Sequence, residues 1–382
     1  MNTAALDLSL DADAILARLT GWVECESPTW DAAAVNRMMD LAGRDLALLG
    51  AAVERIPGRM GLGGCVRARF PHRAPPGTPG LLILAHLDTV HPVGTLAAMP
   101  VRRDGNKVFG PGIFDMKGGT VLAVEALRAI GAAGLATPLP VTVLLTPDEE
   151  IGSPSTRDLI EAEAARAAFV LVPEPARPDG GVVTGRYAIA RFNLRTTGRP
   201  SHAGAQLAAG RSAIREMCRQ VLAIDGMTSE DCTFSVGVIG GGQWVNCVAT
   251  HCDAEALSMA KRQADLDAGV ARMLALEAST PDVALSVTRG VTRPVWEPDE
   301  PGLALYRHAR TIANAIGFDI TFQSSGGGSD GNFTGAMGIP TLDGLGIGGA
   351  GAHTLEEHVT LDSILPRTRL LAGLLLTLGE QP

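Results

Sequence analysis

The chain has 382 residues, of which 46% are hydrophobic and 19% charged, and its formal net charge at pH 7 is -9. Its length exceeds what one hydrophobic core usually serves, so we expect two domains, and its apolar content argues against disorder. The acidic balance argues against a nucleic-acid or anionic-membrane surface, because phosphate binding requires clustered Lys and Arg, and favours small-molecule partners.

The N-terminus predicts a helix rather than a targeting segment. The stretch "MNTAALDLSLDADAILARLTGWVE" carries Asp7, Asp11 and Asp13 where a signal peptide would carry positive charge ahead of an apolar run. About 18 uninterrupted apolar residues are needed to cross a bilayer, and the sequence shows no such stretch. The sequence therefore predicts a cytoplasmic protein that binds neither membrane nor nucleic acid.

The six cysteines, at positions 25, 65, 218, 232, 247 and 252, form no CxxC pair. This spacing supports neither a thiolate zinc site nor a redox motif. We expect most of them to be small buried hydrophobic residues. The spacing leaves open a disulfide between Cys247 and Cys252, which a cytoplasmic location disfavours.

Helix and strand patterns alternate along the first 185 residues. Helices are predicted near 11–25, 31–50, 117–132 and 155–166, and strands near 52–57, 63–70 and 81–86, in "VTVLLT" and in "AAFVLVPEP". Strands separated by helices of this length need crossover connections, which predict a mainly parallel mixed sheet covered by helices. Sites in such sheets form at the carboxyl ends of the strands.

The pattern changes at Arg186. Two predicted helices, "GRSAIREMCRQVLAI" and residues 264–277, are interspersed with strand-like alternation in "YAIARFNLRTTG", "TFSVGVIGGG", "VNCVATHCDAEALSM" and "VALSVTRGVT". Two helices on one antiparallel sheet make a compact α+β module. From about 300 the chain returns to helices and short strands and ends in an apolar helix near 362–378. We therefore predict an α/β fold in which residues 1–185 and 299–382 form one domain and residues 186–298 form an inserted α+β domain.

Acidic and histidine residues follow the predicted strands of the first domain. They are His86 and Asp88 in "LLILAHLDTV", Asp115 in "GPGIFDMKGG", Asp148, Glu149 and Glu150 in "LLTPDEEIGS", Glu174 in "VLVPEP" and, late in the chain, His353 in "GIGGAGAHTLEEH". Converging carboxylates repel each other unless a cation or protons neutralise them. Imidazole and carboxylate ligands suit zinc better than magnesium or calcium, which prefer oxygen alone. Five ligands, one of them shared, would fill two zinc sites and leave room for a water.

Each of these motifs also has a purely structural interpretation. His86 and Asp88 can be a hydrogen-bonded pair at a strand end, Asp115 a helix N-cap, "DEE" a solvated turn and His353 a surface histidine. Taken singly, those interpretations do not explain why the residues recur in order at the strand ends of one sheet. The glycines of "GLGIGGAG" superficially resemble a dinucleotide loop, but little in the following sequence predicts the helix that this fingerprint requires. A nicotinamide oxidoreductase is therefore the least favoured hypothesis.

A known enzyme family shows the same motifs in the same order. The chain resembles the dizinc metallopeptidases that include glutamate carboxypeptidase, aminoacylase and succinyl-diaminopimelate desuccinylase, in "HLDTV", "GPGIFDMKGG", "TPDEEIGS", "PEP", "GRPSHAG" and "GAH". The glutamate carboxypeptidase branch looks most similar. The resemblance implies that His86, Asp115 and Glu174 bind one zinc ion and that Asp115, Glu150 and His353 bind the other. Cobalt is expected to substitute for zinc.

The resemblance also implies catalytic roles. Glu149 would be the general base, which takes a proton from the attacking water and later passes it to the leaving amine. Asp88 would hold the distal nitrogen of His86 and so fix its tautomer. Adjacent residues of an extended chain point opposite ways, so Glu149 and Glu150 can divide the two tasks only if a turn bends both toward the metal ions.

The inserted domain resembles the lid and dimerisation domain of the family. His202, in "GRPSHAG", would lie at the mouth of the partner's site in a homodimer and help to stabilise the tetrahedral oxyanion; its structural alternative is the cap of a turn. Asn246 matches a family asparagine that contacts substrate. Arg293, and the backbone N–H groups of the loop that contains Gly327 and Gly328, are candidates for binding the substrate carboxylate.

The main hypothesis is a dizinc hydrolase that cleaves the amide bond of an N-acyl amino acid or short peptide, with a C-terminal glutamate as the expected product. One departure bears on the substrate: relatives often carry an arginine where this chain has Met259, with Lys261 and Arg262 shortly beyond. An aminoacylase, deacetylase or desuccinylase is the alternative within the enzyme class. A relative that binds metal or ligand without turnover is the alternative outside it, and Glu149 disfavours it because a binding protein needs no base.

Overall fold

The computed structural model describes residues 7–380. They divide into two compact units. Unit 1 comprises the described chain up to Gly185, Pro298–Ser325 and the chain from Ser329 onward, and unit 2 comprises Arg186–Glu297 and Gly326–Gly328. The glycine segment that packs with unit 2 lies outside the range 186–298 that the sequence predicted for the insertion.

The helices and strands of the described residues are numbered in chain order. The α-helices are α1 (Ala12–Val23), α2 (Ala32–Leu48), α3 (Thr95–Ala98), α4 (Gly119–Ala132), α5 (Arg157–Ala164), α6 (Ala213–Asp225), α7 (Gln263–Leu274), α8 (Glu300–Ile316), α9 (Gly331–Ala336) and α10 (Ile364–Thr377). The strands are β1 (Ala52–Ile56), β2 (Cys65–Arg69), β3 (Gly80–His86), β4 (Arg102–Asp104), β5 (Lys107–Phe109), β6 (Val141–Thr146), β7 (Ala167–Leu171), β8 (Val182–Arg186), β9 (Ala188–Thr197), β10 (Cys232–Gly241), β11 (His251–Ala260), β12 (Ala284–Arg293), β13 (Phe322–Ser325), β14 (Thr341–Leu342), β15 (Gly349–Ala350) and β16 (His358–Thr360).

A six-stranded sheet in the order β1-β2-β6-β3-β7-β14 forms the centre of unit 1. β3 pairs in parallel with β6 and β7, and β7 pairs in parallel with β14, whereas β1 and β2 are antiparallel additions at one edge. Every side chain of β3 from Leu81 to His86 is buried, as expected of a strand covered on both faces. The prediction of an α/β fold with a mainly parallel mixed sheet is confirmed.

Helices that pack on this sheet complete the core of unit 1. α4 and α10 contact each other and bury most of their side chains, which is typical of helices that are apolar all round. α1 and α2 are amphipathic and start where an aspartate accepts backbone N–H groups, Asp11 for α1 and Asp31 for α2. These helices hold the sheet in place but leave the carboxyl ends of its central strands to the loops.

Two small sheets in unit 1 have no counterpart in the sequence prediction. One has the order β15-β16-β5-β4, and the other pairs β8 with β13. Their strands are two to five residues long, which is too short for a reliable alternation pattern. The first sheet positions site residues, because β15 and β16 flank the His353 loop and β5 leads into the segment that carries Asp115.

Unit 2 contains an antiparallel sheet in the order β10-β11-β9-β12, with α6 and α7 packed on its buried face. Burial alternates strictly along β9, as its sequence predicts. The strand predicted to start at Val245 starts instead at His251. Because Gly241 of β10 pairs with Cys252 of β11, residues 242–250 are needed to connect the two strands.

All six cysteines are free thiols, so Cys247 and Cys252 do not form the disulfide that the sequence left open. Cys65, Cys232 and Cys252 are buried, as expected of small hydrophobic residues, whereas Cys218 is exposed on α6. Within residues 7–380, no helix combines the length and the apolar run that a membrane span requires.

Candidate functional site

Three neighbouring parallel strands bring predicted ligands to one edge of the unit 1 sheet. His86 is the last residue of β3, Glu174 lies three residues beyond β7, and Glu149 lies three residues beyond β6, with Glu150 next to it. Because parallel neighbours run the same way, their carboxyl ends meet at one edge. The strand order β6-β3-β7 therefore places the imidazole between two sets of carboxylates.

Asp115 reaches the same point from the irregular segment Ile113–Gly118. Its own backbone is extended (φ -115°, ψ 99°), and Gly118 is the N-cap residue of α4, so Asp115 is not the helix cap. Asp115 Oδ1 lies 3.3 Å from Nε2 of His86, and Asp115 Oδ2 lies 3.3 Å from Nε2 of His353. One carboxylate thus presents one oxygen to each imidazole.

The two histidines differ in their access to solvent. The His86 side chain is 1% exposed, whereas the His353 side chain, in the loop between β15 and β16, is 54% exposed. His353 has a positive φ of 65°, which is uncommon for a residue other than glycine. The site is therefore closed on the side of the sheet and open on the side of the His353 loop.

The glutamates surround the same atoms. Glu174 Oε1 lies 3.7 Å and Glu149 Oε2 lies 3.9 Å from His86 Nε2, while Glu150 Oε2 lies 3.1 Å from His353 Nε2. A single 3₁₀ turn, Glu149–Ile151, makes this possible, since successive residues of such a turn do not point to opposite sides. The turn that the sequence required for Glu149 and Glu150 is present, and it directs them toward different histidines.

Asp88 contacts both His86 and the turn that carries Glu149 and Glu150. Its backbone carbonyl oxygen lies 3.0 Å from His86 Nδ1, and its carboxylate oxygen Oδ1 lies 3.4 Å from the same atom. Because a carbonyl oxygen only accepts, Nδ1 donates, and in the neutral ring Nε2 carries the lone pair that a metal ion can bind. The Asp88 carboxylate also accepts the backbone N–H groups of Glu149 (3.1 Å) and Glu150 (3.3 Å) and the hydroxyl of Thr29 (2.6 Å). Asp88 therefore orients the glutamate turn as well as the imidazole.

The electrostatics of the cluster show how strongly its groups interact. Burial alone would lower the pKa of His86, but the carboxylates of Asp115 and Asp88 outweigh it and raise that pKa well above its usual value. Hydrogen bonds to Asp115 and Glu150 raise the pKa of His353 to about 10. Burial raises the pKa of Glu150, and burial together with the charge of Asp115 raises the pKa of Glu174 well above its usual value. Protonation is therefore favoured at each of these four groups.

A divalent cation fits this donor set. Two buried atoms, His86 Nε2 and Glu150 Oε1, have no hydrogen-bond partner among the described residues, although a buried polar atom normally has one. Ligand atoms of His86, Glu149 and Glu174, and those of His86, Asp115 and Glu150, lie within 4.8 Å of one another. Nitrogen from imidazole and oxygen from carboxylates are the ligands that zinc accepts together.

Two buried acids near the glutamate turn are not among the proposed ligands: Asp148, which the sequence analysis named, and Asp330, which it did not. Asp330 accepts the hydroxyls of Ser153 and Thr146 (3.1 Å to the latter), which flank the turn on both sides. Asp148 points away from the cluster and accepts the N–H and hydroxyl of Ser155 and the hydroxyl of Thr156; burial raises the pKa of Asp148 to about 6. Short polar side chains around "DEE" are the only signal of this network in the sequence.

In unit 2 the structure brings His202 and Asn246 onto neighbouring backbone segments. The N–H of Ala203 donates to the carbonyl oxygen of Asn246 (2.9 Å), and both His202 and Asn246 are exposed. His202 Nδ1 accepts the N–H groups of Gly204 (3.2 Å) and Ala205 (3.1 Å). His202 therefore caps a turn, as its structural interpretation holds, and the same contacts leave Nε2 of the neutral ring as an outward donor.

Arg293 and the glycine loop also come together within unit 2. Arg293 is buried, and a Cβ atom built on Gly328 would lie 2.7 Å from its Cδ atom, so any larger residue at 328 would force the Arg293 side chain to shift. Arg186, which the sequence analysis did not single out, is buried beside them and donates to the carbonyl oxygens of Gly327 (2.8 Å) and Gly328 (3.2 Å). Two arginines and a close backbone turn thus form one cluster.

The basic residues that follow Met259 lie beside acidic residues. Met259 is half-buried on β11, where it pairs with Ile189 of β9. Lys261 lies 3.7 Å from Asp231, and Arg262 forms an ion pair with Asp265 at 2.8 Å. Both cations have acidic neighbours beyond the strand end.

Comparisons with known proteins show what the whole chain is similar to. Residues 82–377 match the sequence model of Peptidase family M20/M25/M40. The chain is 31% identical over 376 residues to carboxypeptidase G2 of Pseudomonas sp. (strain RS-16), covering 96% of this chain and 89% of the relative. It is 30% identical over 189 residues to an acetylornithine deacetylase of Myxococcus xanthus, covering 46% of this chain and 48% of the relative. Its fold is similar to the crystal structure of a tripeptidase from Staphylococcus aureus, with a TM-score of 0.78, 20% identity, and coverage of 97% of this chain and 100% of the other.

Proposed function

The chain belongs to Peptidase family M20/M25/M40, and on this premise we propose that it is a zinc-dependent hydrolase that releases a C-terminal, glutamate-like amino acid from an N-acyl amino acid or short peptide. The observation that carries the proposal is the carboxylate of Asp115, which presents one oxygen to His86 and the other to His353, each 3.3 Å from Nε2. A carboxylate placed this way suits two cations that share it.

The proposed ligand sets follow from these neighbours. His86, Asp115 and Glu174 would hold one zinc ion, and Asp115, Glu150 and His353 would hold the other. When bound, zinc ions polarise the scissile carbonyl and lower the pKa of the attacking water. Cobalt, which accepts the same ligands, is expected to substitute for zinc.

Glu149 is the proposed general base. Its backbone is fixed by the N–H bond to Asp88, and its carboxylate lies 3.9 Å from His86 Nε2, at the edge of the ligand group. In this role Glu149 takes a proton from the attacking water and passes it to the leaving nitrogen, so that the amine departs neutral. A protein that only bound metal or ligand would have no use for such a base.

The unit 2 residues are proposed to bind the substrate. Arg293 and the N–H groups around Gly327 and Gly328 would hold the free carboxylate beside the scissile amide, since Arg binds carboxylates with two hydrogen bonds. His202, which keeps a donor at Nε2, would stabilise the oxyanion, and Asn246 would contact the substrate. The similarity to carboxypeptidase G2 supports a carboxypeptidase.

A deacetylase or aminoacylase is the second candidate. The similarity to an acetylornithine deacetylase covers only 46% of this chain. Met259 nevertheless favours this second candidate, because an apolar side chain at that position forms no ion pair with an acidic substrate. The metal centre and the role of Glu149 would be the same in both enzymes. The two candidates differ in the amino acid that they release.

A homodimer is the proposed assembly. β10 is an edge of the unit 2 sheet, and its residues Val238 and Ile239 are 57% and 51% exposed. Trp244 and Val245, in the connection that follows, are also exposed. An exposed apolar edge strand is suited to pairing with a second copy, and His202 is then proposed to act in the partner's site.

Metal analysis combined with a substrate panel tests the proposal. The purified protein should contain about two zinc equivalents per chain, and chelation should abolish hydrolysis of N-acyl glutamate until zinc or cobalt is restored. Full activity of the metal-free protein would contradict the metal centre. A preference for N-acyl leucine or alanine over N-acyl glutamate would favour the aminoacylase instead.

A further inference from the structure

Glu357 has a buried carboxylate in unit 1 whose two oxygens are both occupied. Oε1 accepts the backbone N–H groups of Phe114 (2.9 Å) and Asp115 (3.0 Å). Oε2 accepts the N–H of Gly112 (3.0 Å) and lies 2.7 Å from Nε2 of His91, which must donate to it. Glu357 is fully buried and His91 nearly so. Four donors therefore converge on the Glu357 carboxylate, and three of them are backbone N–H groups.

The three N–H groups belong to the segment that carries Asp115. A regular helix would supply carbonyl acceptors for such groups, but the backbone of Asp115 is extended, so the segment has to find an acceptor elsewhere. The Glu357 carboxylate is that acceptor. It thereby sets the path of the backbone from which the Asp115 side chain reaches His86 and His353.

Glu357 is itself anchored beside the other end of the site. It directly precedes β16, which pairs with β5, and its carbonyl oxygen accepts the N–H of Gly110 (3.3 Å). It also closes the His353 loop, because its own N–H donates to the carbonyl oxygen of Thr354 (3.3 Å). One residue thus connects the backbone of Asp115 with the loop that carries His353.

We propose that Glu357 is a positioning residue that holds Asp115 where its two oxygens face the two histidines. This inference rests on the proposed function, in which Asp115 is shared by two metal ions. Outer partners that orient metal ligands commonly change metal affinity by about tenfold to a hundredfold when they are replaced.

The arrangement requires a carboxylate rather than an amide. Glutamine has the same size but only one oxygen, and its NH₂ group would face either the N–H groups of Phe114 and Asp115 or those of Gly112 and His91. In the first orientation two N–H groups lose their acceptor and meet another donor; in the second, Gly112 does so, and His91 keeps its bond only if its tautomer changes so that Nε2 accepts. The segment would have to move to relieve this conflict.

Metal binding by Glu357→Gln tests the proposal, with Glu356→Gln as the matched control because its neighbour Glu356 is exposed and loses the same charge. Metal-free proteins are titrated with Zn²⁺ by calorimetry and with Co²⁺ by visible absorption, after thermal melting has shown that each is folded. Glu357→Gln should bind at least one metal ion about tenfold to a hundredfold more weakly and change the Co²⁺ spectrum, whereas Glu356→Gln should match the wild type.

A folded Glu357→Gln that binds both metal ions like the wild type overturns the proposal. If that variant does not fold, Glu357→Asp decides, since it keeps both oxygens but shortens the side chain by one methylene group. A weaker affinity and an altered Co²⁺ spectrum for folded Glu357→Asp support the proposal, and wild-type values overturn it. If the wild-type chain itself binds no pair of metal ions, the proposed function fails, and the inference fails with it.

Discussion

The candidate residues of the two units are held in different ways. In unit 1, Asp88 is bonded to backbone groups 61 and 62 positions away, and the N–H of Asp115 is bonded to a carboxylate 242 positions away. In unit 2, the side chain of His202 accepts N–H groups two and three positions away and is exposed to solvent. Arg293 is the buried exception in unit 2.

This difference follows from what each group is proposed to bind. A metal centre works only if several donors are fixed at short distances before the ion arrives, and burial strengthens every charge interaction within it. Residues that meet a substrate have to remain accessible to it, so local turns hold them and solvent reaches them. Long-range bonds therefore hold Asp88 and Asp115 in the proposed metal centre, whereas a local turn holds the side chain of His202.

The largest effect is expected inside the unit 1 site, where Glu149 and Glu150 are adjacent but have different proposed tasks. Glu149→Gln should lower kcat by roughly 10² to 10⁴ or more and retain both metal ions, because a general base moves protons without being needed as a ligand. Glu150→Gln should lose metal affinity, since its carboxylate lies 3.1 Å from His353. Turnover and metal content of the two variants are measured side by side. Equal metal loss in both variants would contradict the proposal that Glu149 is the base and Glu150 a metal ligand.

The next largest effect is expected at His202, the exposed histidine of unit 2. His202→Ala should lower kcat by about 10² to 10³ with metal content unchanged, as for loss of one oxyanion donor. His251→Ala, at the other histidine of unit 2, is the control and should retain activity. Mixing inactive His202→Ala with inactive Glu149→Gln should restore part of the activity if His202 serves the partner's site. No recovery despite demonstrated subunit exchange would place His202 outside the partner's chemistry.

Replacing Arg293 tests whether this buried residue of unit 2 contacts the substrate. Arg293→Ala should lower kcat/KM for N-acyl amino acids about a hundredfold, which corresponds to roughly 3 kcal/mol, and change little for the matching C-terminal amides. Arg289→Ala, which removes an exposed arginine from the same strand, should leave both substrates unaffected. Thermal melting checks that Arg293→Ala is folded. Comparable rates for acids and amides in the wild type would rule out the carboxylate contact.

The smallest effect on activity is expected at Glu216, a unit 2 carboxylate that accepts several hydrogen bonds in the folded protein. It is buried on α6 and accepts the N–H groups of Ser279 (2.8 Å) and Thr280 (3.0 Å) and the amide of Gln220 (2.7 Å). Glu216→Gln should reduce the free energy of unfolding in urea by about 2 to 3 kcal/mol and leave kcat within about twofold at low temperature. Glu255→Gln, at an exposed position of β11, should change stability by less than about 0.5 kcal/mol.

The stability difference between the wild type and Glu216→Gln is expected to depend on pH. Burial opposes ionisation of Glu216, but hydrogen bonds from Thr280, Gln220 and Ser279 outweigh it and lower its pKa to about 2. A carboxylate whose pKa falls on folding stabilises the folded state above its unfolded pKa and loses that contribution as pH falls. The stability difference between wild type and Glu216→Gln should therefore be constant above about pH 5 and shrink toward pH 2. A difference that grows as pH falls would contradict the assignment of the hydrogen bonds.

Much of this protein is determined by local sequence. The apolar run that ends in His86 predicts a buried strand, and the helix pattern between strands predicts a mainly parallel sheet, in which the structure pairs β3 with β6 and β7. The motifs around Asp115, Glu150 and His353 predicted the family, and that prediction is confirmed. Such patterns are readable because each depends on residues a few positions apart. The roles of the individual site residues stay predictions that the variants above can test.

The rest was decided by contacts between distant parts of the chain. No local pattern shows that Asp115 directs one oxygen to each histidine, that Glu357 accepts the N–H groups around it, or that Gly326–Gly328 packs with unit 2. Short strands such as β15 and β16 depend on pairing within one small sheet, in which β16 pairs with both β15 and β5. Side-chain direction and hydrogen-bond partners depend on which segments the fold brings within about 3 Å of one another, and the sequence by itself fixes the identity of a group but not its neighbours.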